Sequence, residues 1–152
     1  MIKTARTSPE NKDFITLVSH LDVELAIRDG DEHSFYNQFN KTDLIEHVVV
    51  LYENGIALAC GAIKEESSKR MEVKRMYTLQ DSRGRGLASV VLNELEAWAR
   101  EMSYNKCILE TGKKQPEAIQ LYKKNGYQLI PNYGQYAGIA NSLCFEKDLI
   151  PN

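Results

Sequence analysis

A strand-like segment runs directly into a glycine-rich turn and then into a helix, and this arrangement limits the choice of folds. The strand is Met71–Leu79, the turn contains Arg83-Gly84-Arg85-Gly86, and a helical pattern begins at Leu87. Glycines let the backbone turn tightly and leave room for a ligand to approach. The first N–H groups of a helix have no intrahelical partner and lie at the positive end of its dipole. Together with the two arginines, they predict a site for an anion, most naturally a phosphate or pyrophosphate.

The strands before this turn argue against the common dinucleotide-binding folds. Asn54-Gly55 separates the apolar runs His47–Tyr52 and Ile56–Lys64, which is the typical signal of an antiparallel hairpin. Met71–Leu79 then adds a third antiparallel strand, so a parallel βαβ unit is not expected. The turn lacks the Gly-Lys-Ser/Thr of a Walker loop and the complete Gly-x-Gly-x-x-Gly fingerprint. On the turn alone, an ordinary surface turn that starts a helix is an equal alternative.

The apolar patterns along the rest of the chain predict an α+β (mixed α/β) domain. Their order is strand, helix, three meander strands, helix, strand, helix and two closing strands. The last helix has Pro116 at its first position and Gly126 just past its end. With 152 residues, 43% of them hydrophobic, the chain suits a single domain over residues 1–152.

Charge, hydropathy and cysteine usage exclude several classes of protein. The formal net charge of −2 does not favour a nucleic-acid surface. No apolar run reaches the ~18–20 residues that cross a bilayer, so no membrane partner is expected. The opening residues lack the apolar core of a secretory signal, so we expect a cytoplasmic protein. Cys60, Cys107 and Cys144 form no CxxC pair, so we expect buried, inert thiols and no metal site.

Two motifs resemble those of the GNAT superfamily of N-acetyltransferases. The first, Gln/Arg-x-x-Gly-x-Gly/Ala, is matched at every fixed position by Arg83, Gly86 and Ala88. The second, Ala-x-x-Leu-Tyr-x-x-x-Gly-Phe/Tyr, is matched by Ala118, Leu121, Tyr122, Gly126 and Tyr127. The motifs stand in the family's order, and the resemblance spans roughly residues 48–149.

This resemblance implies a GNAT-like fold with acetyl-CoA as cosubstrate and no metal. The fold is a central, mostly antiparallel, twisted sheet of about six to seven strands flanked by about four helices. In the family, the strand before the turn splays away from the strand after the long helix, and acetyl-CoA enters the wedge between them. Many relatives have Asn where this chain has Gln115, a poorer N-cap. The residues expected to bind the cofactor are Met76, Tyr77, Thr78, Arg83, Gly84, Arg85, Gly86, Leu87, Ala88, Ser89 and Gln115.

The resemblance also suggests catalytic residues. It assigns Tyr122 as the general acid that protonates the sulfur of coenzyme A. A tyrosine has a reference pKa of about 10 and can donate such a proton. Glu72, on the strand that leads to the turn, is the expected base. A structural carboxylate paired with Lys74 is an equal reading of Glu72, while Glu110 or a water chain competes for the role.

The expected reaction is direct transfer of an acetyl group to a primary amine of a small molecule or peptide. A catalytically silent acetyl-CoA-binding or regulatory module is the alternative, and a homodimer is common among relatives. The resemblance assigns the acceptor wall to the first helical region and to the loop 132–138. The candidates for contact with the acceptor are the acidic run 29–32 and the aromatic residues Phe35, Tyr36, Tyr133 and Tyr136. The alternatives are a solvated helix end for the acidic run and ordinary loop packing for the aromatic residues.

Overall fold

A seven-stranded sheet forms the centre of the computed structural model, which describes residues 1–30 and 45–150. The strands are β1 Ile2–Thr7, β2 His47–Glu53, β3 Ile56–Ser67, β4 Arg70–Thr78, β5 Lys106–Gly112, β6 Gln128–Ile130 and β7 Ser142–Asp148. The helices are α1 Lys12–Asp29, α2 Leu87–Glu101 and α3 Pro116–Lys124, with short 3-10 turns at Gln80–Ser82 and Gly134–Tyr136. The predicted fold class is therefore confirmed, and the three α-helices of this part are close to the predicted number.

The strand order is β1-β2-β3-β4-β5-β7-β6, and β4 and β5 form the parallel pair of an otherwise antiparallel sheet. Their pairing extends only from Arg70 opposite Lys106 to Glu72 opposite Ile108. Both strands continue well past these pairs, β4 to Thr78 and β5 to Gly112, but they do not pair with each other there. The two strands therefore diverge, which produces the expected wedge in the middle of the sheet.

The hairpin between β2 and β3 forms as predicted. Asn54 and Gly55 have φ values of 51° and 85°, so both central residues adopt the left-handed conformation. Two such residues make the turn whose twist matches that of paired antiparallel strands. The local sequence therefore sets the register of the first part of the sheet.

Helices cover both faces of the sheet and form two apolar cores. The buried stripe of α2 packs on one face against β2–β5, together with residues of α3. On the other face, Phe14 and Leu17 of α1 pack against Val48, Val50 and Cys60. None of the helices in the described ranges is long and apolar enough to span a membrane.

A bulge in β4 changes which side chains share a face. Simple alternation predicts Val73, Arg75 and Tyr77 on one side of the strand. Instead, Val73 joins the core under α2, whereas Tyr77 joins the core under α1. The cause is Arg75, whose φ of 60° lies where β4 has one residue more than β3 between their paired positions. The prediction of a shared face was therefore wrong beyond Lys74.

Gly61 of β3 brings the sheet close to α2 beneath this bulge. A Cβ built on Gly61 would lie 2.9 Å from Leu95 Cδ1 and closer still to Met76 Sδ. The absence of a side chain at this position therefore lets α2 and Met76 pack directly on the strand.

Candidate active site

A cleft of about 560 Å³ opens where β4 and β5 diverge. The carboxyl-terminal part of β4, the glycine-rich turn, the end of β5 and helix α3 form its walls, and α1 contributes Leu21, Glu24, Leu25 and Arg28. A cleft of this size between diverging strands suits a ligand that extends along the open edge of β4.

The predicted cofactor-binding residues converge on this cleft, with one exception. Those among its lining residues are Met76, Tyr77, Thr78, Arg83, Gly84, Gly86, Leu87, Ala88, Ser89 and Gln115. Arg85 is not among them, since its guanidinium points instead to the carboxylate of Glu53 at the end of β2.

The turn before α2 has the geometry of an anion site. Gly84 and Gly86 have φ values of 80° and 78°, and a Cβ built on either would meet no heavy atom within 4 Å. The first intrahelical hydrogen bond of α2 runs from Val90 N to Gly86 O at 3.2 Å. The amides of residues 87–89 therefore precede the helical hydrogen-bond ladder and are available for an anion. The open space at the two glycines lies next to these backbone amides and fits a diphosphate.

Arg83 already has a carboxylate partner. Its Nη2 donates to Glu24 Oε2 of α1 at 2.7 Å, and its Nε donates to Thr78 O at 2.9 Å. Its guanidinium also lies over the ring of Tyr77, 5.4 Å from the centroid. Burial, and then the hydrogen bond with Glu24, raise the pKa of Tyr77 to about 12. An anion bound at the turn would compete with Glu24 for this arginine.

Tyr122 lies on α3 and lines the cleft from the side of β5. The residue is 6% exposed, and its ring packs edge-on against Tyr127, with the ring centroids 5.7 Å apart. Burial, and to a smaller extent the charge of Glu110, raise the pKa of its hydroxyl above the usual value. This side chain therefore keeps its proton at neutral pH, as a general acid must before it acts.

The two candidate bases occupy different environments. Glu110 lines the cleft, whereas Glu72 does not. Glu72 Oε2 accepts a hydrogen bond from the Tyr133 hydroxyl at 2.7 Å, and its Oε1 lies 3.9 Å from Lys74 Nζ. Burial lowers the pKa of Lys74, with Glu72 and Glu110 acting in the opposite direction. The geometry thus favours Glu110 over Glu72 as a group that reaches a ligand.

Helix α3 begins without a side-chain cap. Gln115 occupies the N-cap position and makes no capping hydrogen bond with its side chain, as expected of this longer amide. At its other end, Asn125 Nδ2 donates to Ser89 Oγ at 3.1 Å. This bond ties the end of α3 to the first turn of α2, and so holds two walls of the cleft together.

The loop between β6 and β7 supplies aromatic side chains next to the carboxylates of Glu72 and Glu110. The rings of Tyr133 and Tyr136 stack edge-to-face with centroids 5.8 Å apart, and Tyr136 is only 3% exposed. The predicted acceptor-wall residues Phe35 and Tyr36 lie outside the described residues. The same holds for the acidic run, apart from the backbone of Asp29 and Gly30.

Sequence reasoning missed several polar residues of the cleft, namely Glu24, Arg28, Lys74, Arg75 and Glu117. Arg28 of α1 pairs with Glu117 of α3 at 3.5 Å. Together with the pair between Glu24 and Arg83, this joins α1 to α3 and to the glycine-rich turn. In a sequence, charged residues on a helix usually indicate its solvent-exposed face. No local pattern distinguished Glu24, Arg28 and Glu117 from such residues. Arg75 was missed because it reaches the cleft through the bulge.

The cysteines are buried and carry no sign of reactivity. Burial raises the pKa of the Cys60 and Cys107 thiols to about 12 and that of the Cys144 thiol to about 11. They are therefore protonated at neutral pH and poor nucleophiles. Within residues 1–30 and 45–150, no cluster of His, Cys, Asp and Glu could hold a metal ion.

Sequence comparison identifies related proteins over nearly the whole chain. The chain is 29% identical to an "IAA acetyltransferase" from Azospirillum brasilense, over 97% of this chain and 98% of that protein. It is also 30% identical to the uncharacterized N-acetyltransferase YsnE from Bacillus subtilis, over 64% of this chain and 66% of that protein.

Solved structures share the fold. A crystal structure from Klebsiella pneumoniae, provisionally named an acyl-CoA N-acyltransferase, superposes with a TM-score of 0.82 and 30% identity over 99% of both chains. A GNAT family acetyltransferase from Elizabethkingia anophelis, with acetyl-CoA bound, has a TM-score of 0.71 and 14% identity over 97% of both chains. The family model described as "Acetyltransferase (GNAT) family" matches residues 15–127. The protein therefore belongs to the acetyltransferase (GNAT) family, whose members are acyltransferases that draw their acyl group from acetyl-CoA.

Proposed function

We propose that this protein is an N-acetyltransferase that moves an acetyl group from acetyl-CoA directly to a primary amine of a small molecule or peptide. The observation that carries the proposal is one continuous cleft with unpaired helix amides at one end and a protonated tyrosine, Tyr122, further along. The first feature suits the diphosphate of acetyl-CoA, and the second suits the thiolate that leaves when the thioester is cleaved.

The open edge of β4 would hold the pantetheine arm. Residues 76–78 lie where β4 no longer pairs with β5, so backbone groups on that edge are open to the ligand, apart from Thr78 O, which accepts from Arg83 Nε. One amide of this segment would donate to the thioester carbonyl oxygen as negative charge develops there. Removing such a donor from an acyl-transfer site costs about 3–4 kcal/mol of transition-state stabilisation.

Tyr122 and Glu110 would handle the protons. The amine nitrogen forms the new bond to the thioester carbon while the carbon–sulfur bond breaks. Glu110, directly or through water, takes the proton that the amine loses, and Tyr122 gives its proton to the departing sulfur. Both side chains line the cleft, which supports these roles over the role of Glu72 as base. The buried thiols support direct transfer without an acyl-enzyme.

The phosphate site is tested by placing a charge at Gly86. Asp and Asn both tolerate the left-handed conformation better than other side chains, so the variants Gly86→Asp and Gly86→Asn separate charge from bulk. We expect Gly86→Asp to weaken acetyl-CoA binding at least about 100-fold, because a carboxylate next to the diphosphate repels it. Gly86→Asn should weaken binding less. Isothermal titration calorimetry measures both.

Gly55→Asp is the matched control, since Gly55 has a φ of 85°, has open space around it and is not among the residues that line the cleft. Equal binding by the wild type and Gly86→Asp would contradict the proposed site.

The wild type is then assayed with acetyl-CoA, a panel of amines and a thiol reagent. Binding without amine-dependent thiol release would identify a silent module instead. The cytoplasmic location and the homodimer stay predictions.

A further inference from the structure

Arg75 is one of the residues that line the cleft, and its guanidinium is buried with part of its hydrogen-bonding capacity unused. Its side chain is 2% exposed, and Nη2 donates to Asp22 Oδ1 of α1. In the part of the chain that the structure describes, its Nε and Nη1 have no hydrogen-bond partner. Three N–H groups of one permanently charged side chain are therefore without an acceptor.

Such a group requires an explanation in a native protein. Arginine does not lose its charge on burial, so it cannot escape the penalty by deprotonation as a lysine can. An unsatisfied donor shielded from water is destabilising, and more so when it is charged. Buried donors of this kind mark places where a ligand, ion or water completes the set of partners.

The position of Arg75 indicates which ligand that is. It directly precedes residues 76–78, and its φ of 60° is a strained conformation that persists where the surrounding structure holds it. Its partner Asp22 belongs to the helix that faces this end of the cleft, and the Asp22 side chain is 47% exposed. Lys74, the preceding residue, is a second cation that lines the cleft. This end of the cleft is therefore suited to an anion that arrives beside the thioester.

We propose that Arg75 binds a carboxylate of the acceptor, and that the acceptor is a small molecule bearing both an amine and a carboxylate. This inference rests on the proposed acetyl transfer and narrows its substrate class. Because Nε and Nη1 of Arg75 are shielded from solvent, the Asp22 side chain, which is 47% exposed, would move aside for the ligand carboxylate to accept from them. The amine of the same molecule would then lie near Glu110 and the thioester carbon.

The test compares amines that differ in the carboxylate. Values of kcat/KM are measured for phenylalanine and phenylalaninamide, and for lysine and cadaverine, with the wild type and Arg75→Gln. We expect the wild type to prefer the carboxylate-bearing member of a pair that it acetylates. Arg75→Gln should reduce that preference about 10- to 100-fold, mainly through KM, because a charged hydrogen bond is lost. The ratio of kcat/KM for the two members of a pair is compared between the wild type and Arg75→Gln. This comparison cancels differences in the intrinsic reactivity of the amines.

Arg70→Gln is the matched control, since Arg70 lies on the same strand but forms an exposed pair with Glu66; it should keep the preference. An equal fall for both members of a pair in Arg75→Gln would indicate a structural role and overturn the proposal. If that variant does not fold, inhibition of the wild type by 3-phenylpropionate, a carboxylate without an amine, decides. Competitive inhibition supports the proposal, and its absence overturns it.

Failure of this inference is distinguishable from failure of the proposed function. Acetylation of amines without regard to the carboxylate would overturn the acceptor class and leave the acetyltransferase standing. The absence of thiol release with every amine would overturn both.

Discussion

Tyr122, the acid of the proposed reaction, lies among aromatic neighbours. Tyr122 packs edge-on with Tyr127 and in a tilted arrangement with Phe145, so its ring has a structural role besides any chemical one. Removal of the hydroxyl alone separates these two roles. The phenyl ring of phenylalanine fills the same space, and the apolar contacts remain.

For Tyr122→Phe we expect kcat to fall about 100-fold, because a positioned general acid contributes at least that much. The affinity for acetyl-CoA should be unchanged, since the ring and its packing are retained. Steady-state kinetics and calorimetry measure the two quantities. Tyr104→Phe, which removes an exposed hydroxyl bonded to Glu65, is the control and should leave kcat as it is. An unchanged kcat in Tyr122→Phe would remove this tyrosine from the mechanism.

The identity of the base is decided by two isosteric variants. We expect Glu110→Gln to lower kcat about 100-fold and to abolish the acidic limb of the pH–rate profile. Glu72→Gln should have a small effect on kcat, because Glu72 lies outside the cleft and is bonded to Tyr133. The opposite ranking would assign the base to Glu72.

At the scale of elements, the bulge in β4 controls the site. It turns Met76 toward α2 and Tyr77 toward α1, and it lies where β4 and β5 have already separated. The sequence of β4 has no glycine or asparagine at the bulge. Arg75 occupies the left-handed conformation there, which is unusual for an arginine, so the bulge could not be predicted. The strand could therefore be predicted, but the faces of its last residues could not.

Gly61→Ala tests how this packing supports the cleft. The added methyl would collide with the end of Met76 and approach Leu95, so we expect a loss of about 1–3 kcal/mol in the free energy of unfolding. Met76 must also move, which should weaken acetyl-CoA binding. Urea denaturation and calorimetry give the two values. Combining Gly61→Ala with Met76→Ala should recover stability relative to the sum of the single changes. Strict additivity would mean that the two side chains do not collide.

For the whole molecule, local sequence signals predicted what depends on local geometry. The Asn54-Gly55 turn, the Pro116 start of α3 and the glycine turn before α2 each form where their residues indicate. Contacts between distant segments could not be read in this way. The placement of Arg85 on Glu53 and of Glu24 on Arg83 depends on how α1 and β2 pack around the sheet. Long charged side chains reach many partners, so the sequence alone does not select one.

The pair between Glu24 and Arg83 would make binding of acetyl-CoA, as proposed, an exchange of one anionic partner for another. If a diphosphate bound to the turn and paired with Arg83, it would take over a guanidinium that Glu24 already neutralises, and this carboxylate of α1 would lose its partner. The number of charge pairs stays the same, so the gain comes from the difference between phosphate and carboxylate as acceptors. Arg28 of α1 also pairs with Glu117 of α3. In the proposed mechanism, donor binding would therefore change the contacts of the same helix that carries Asp22.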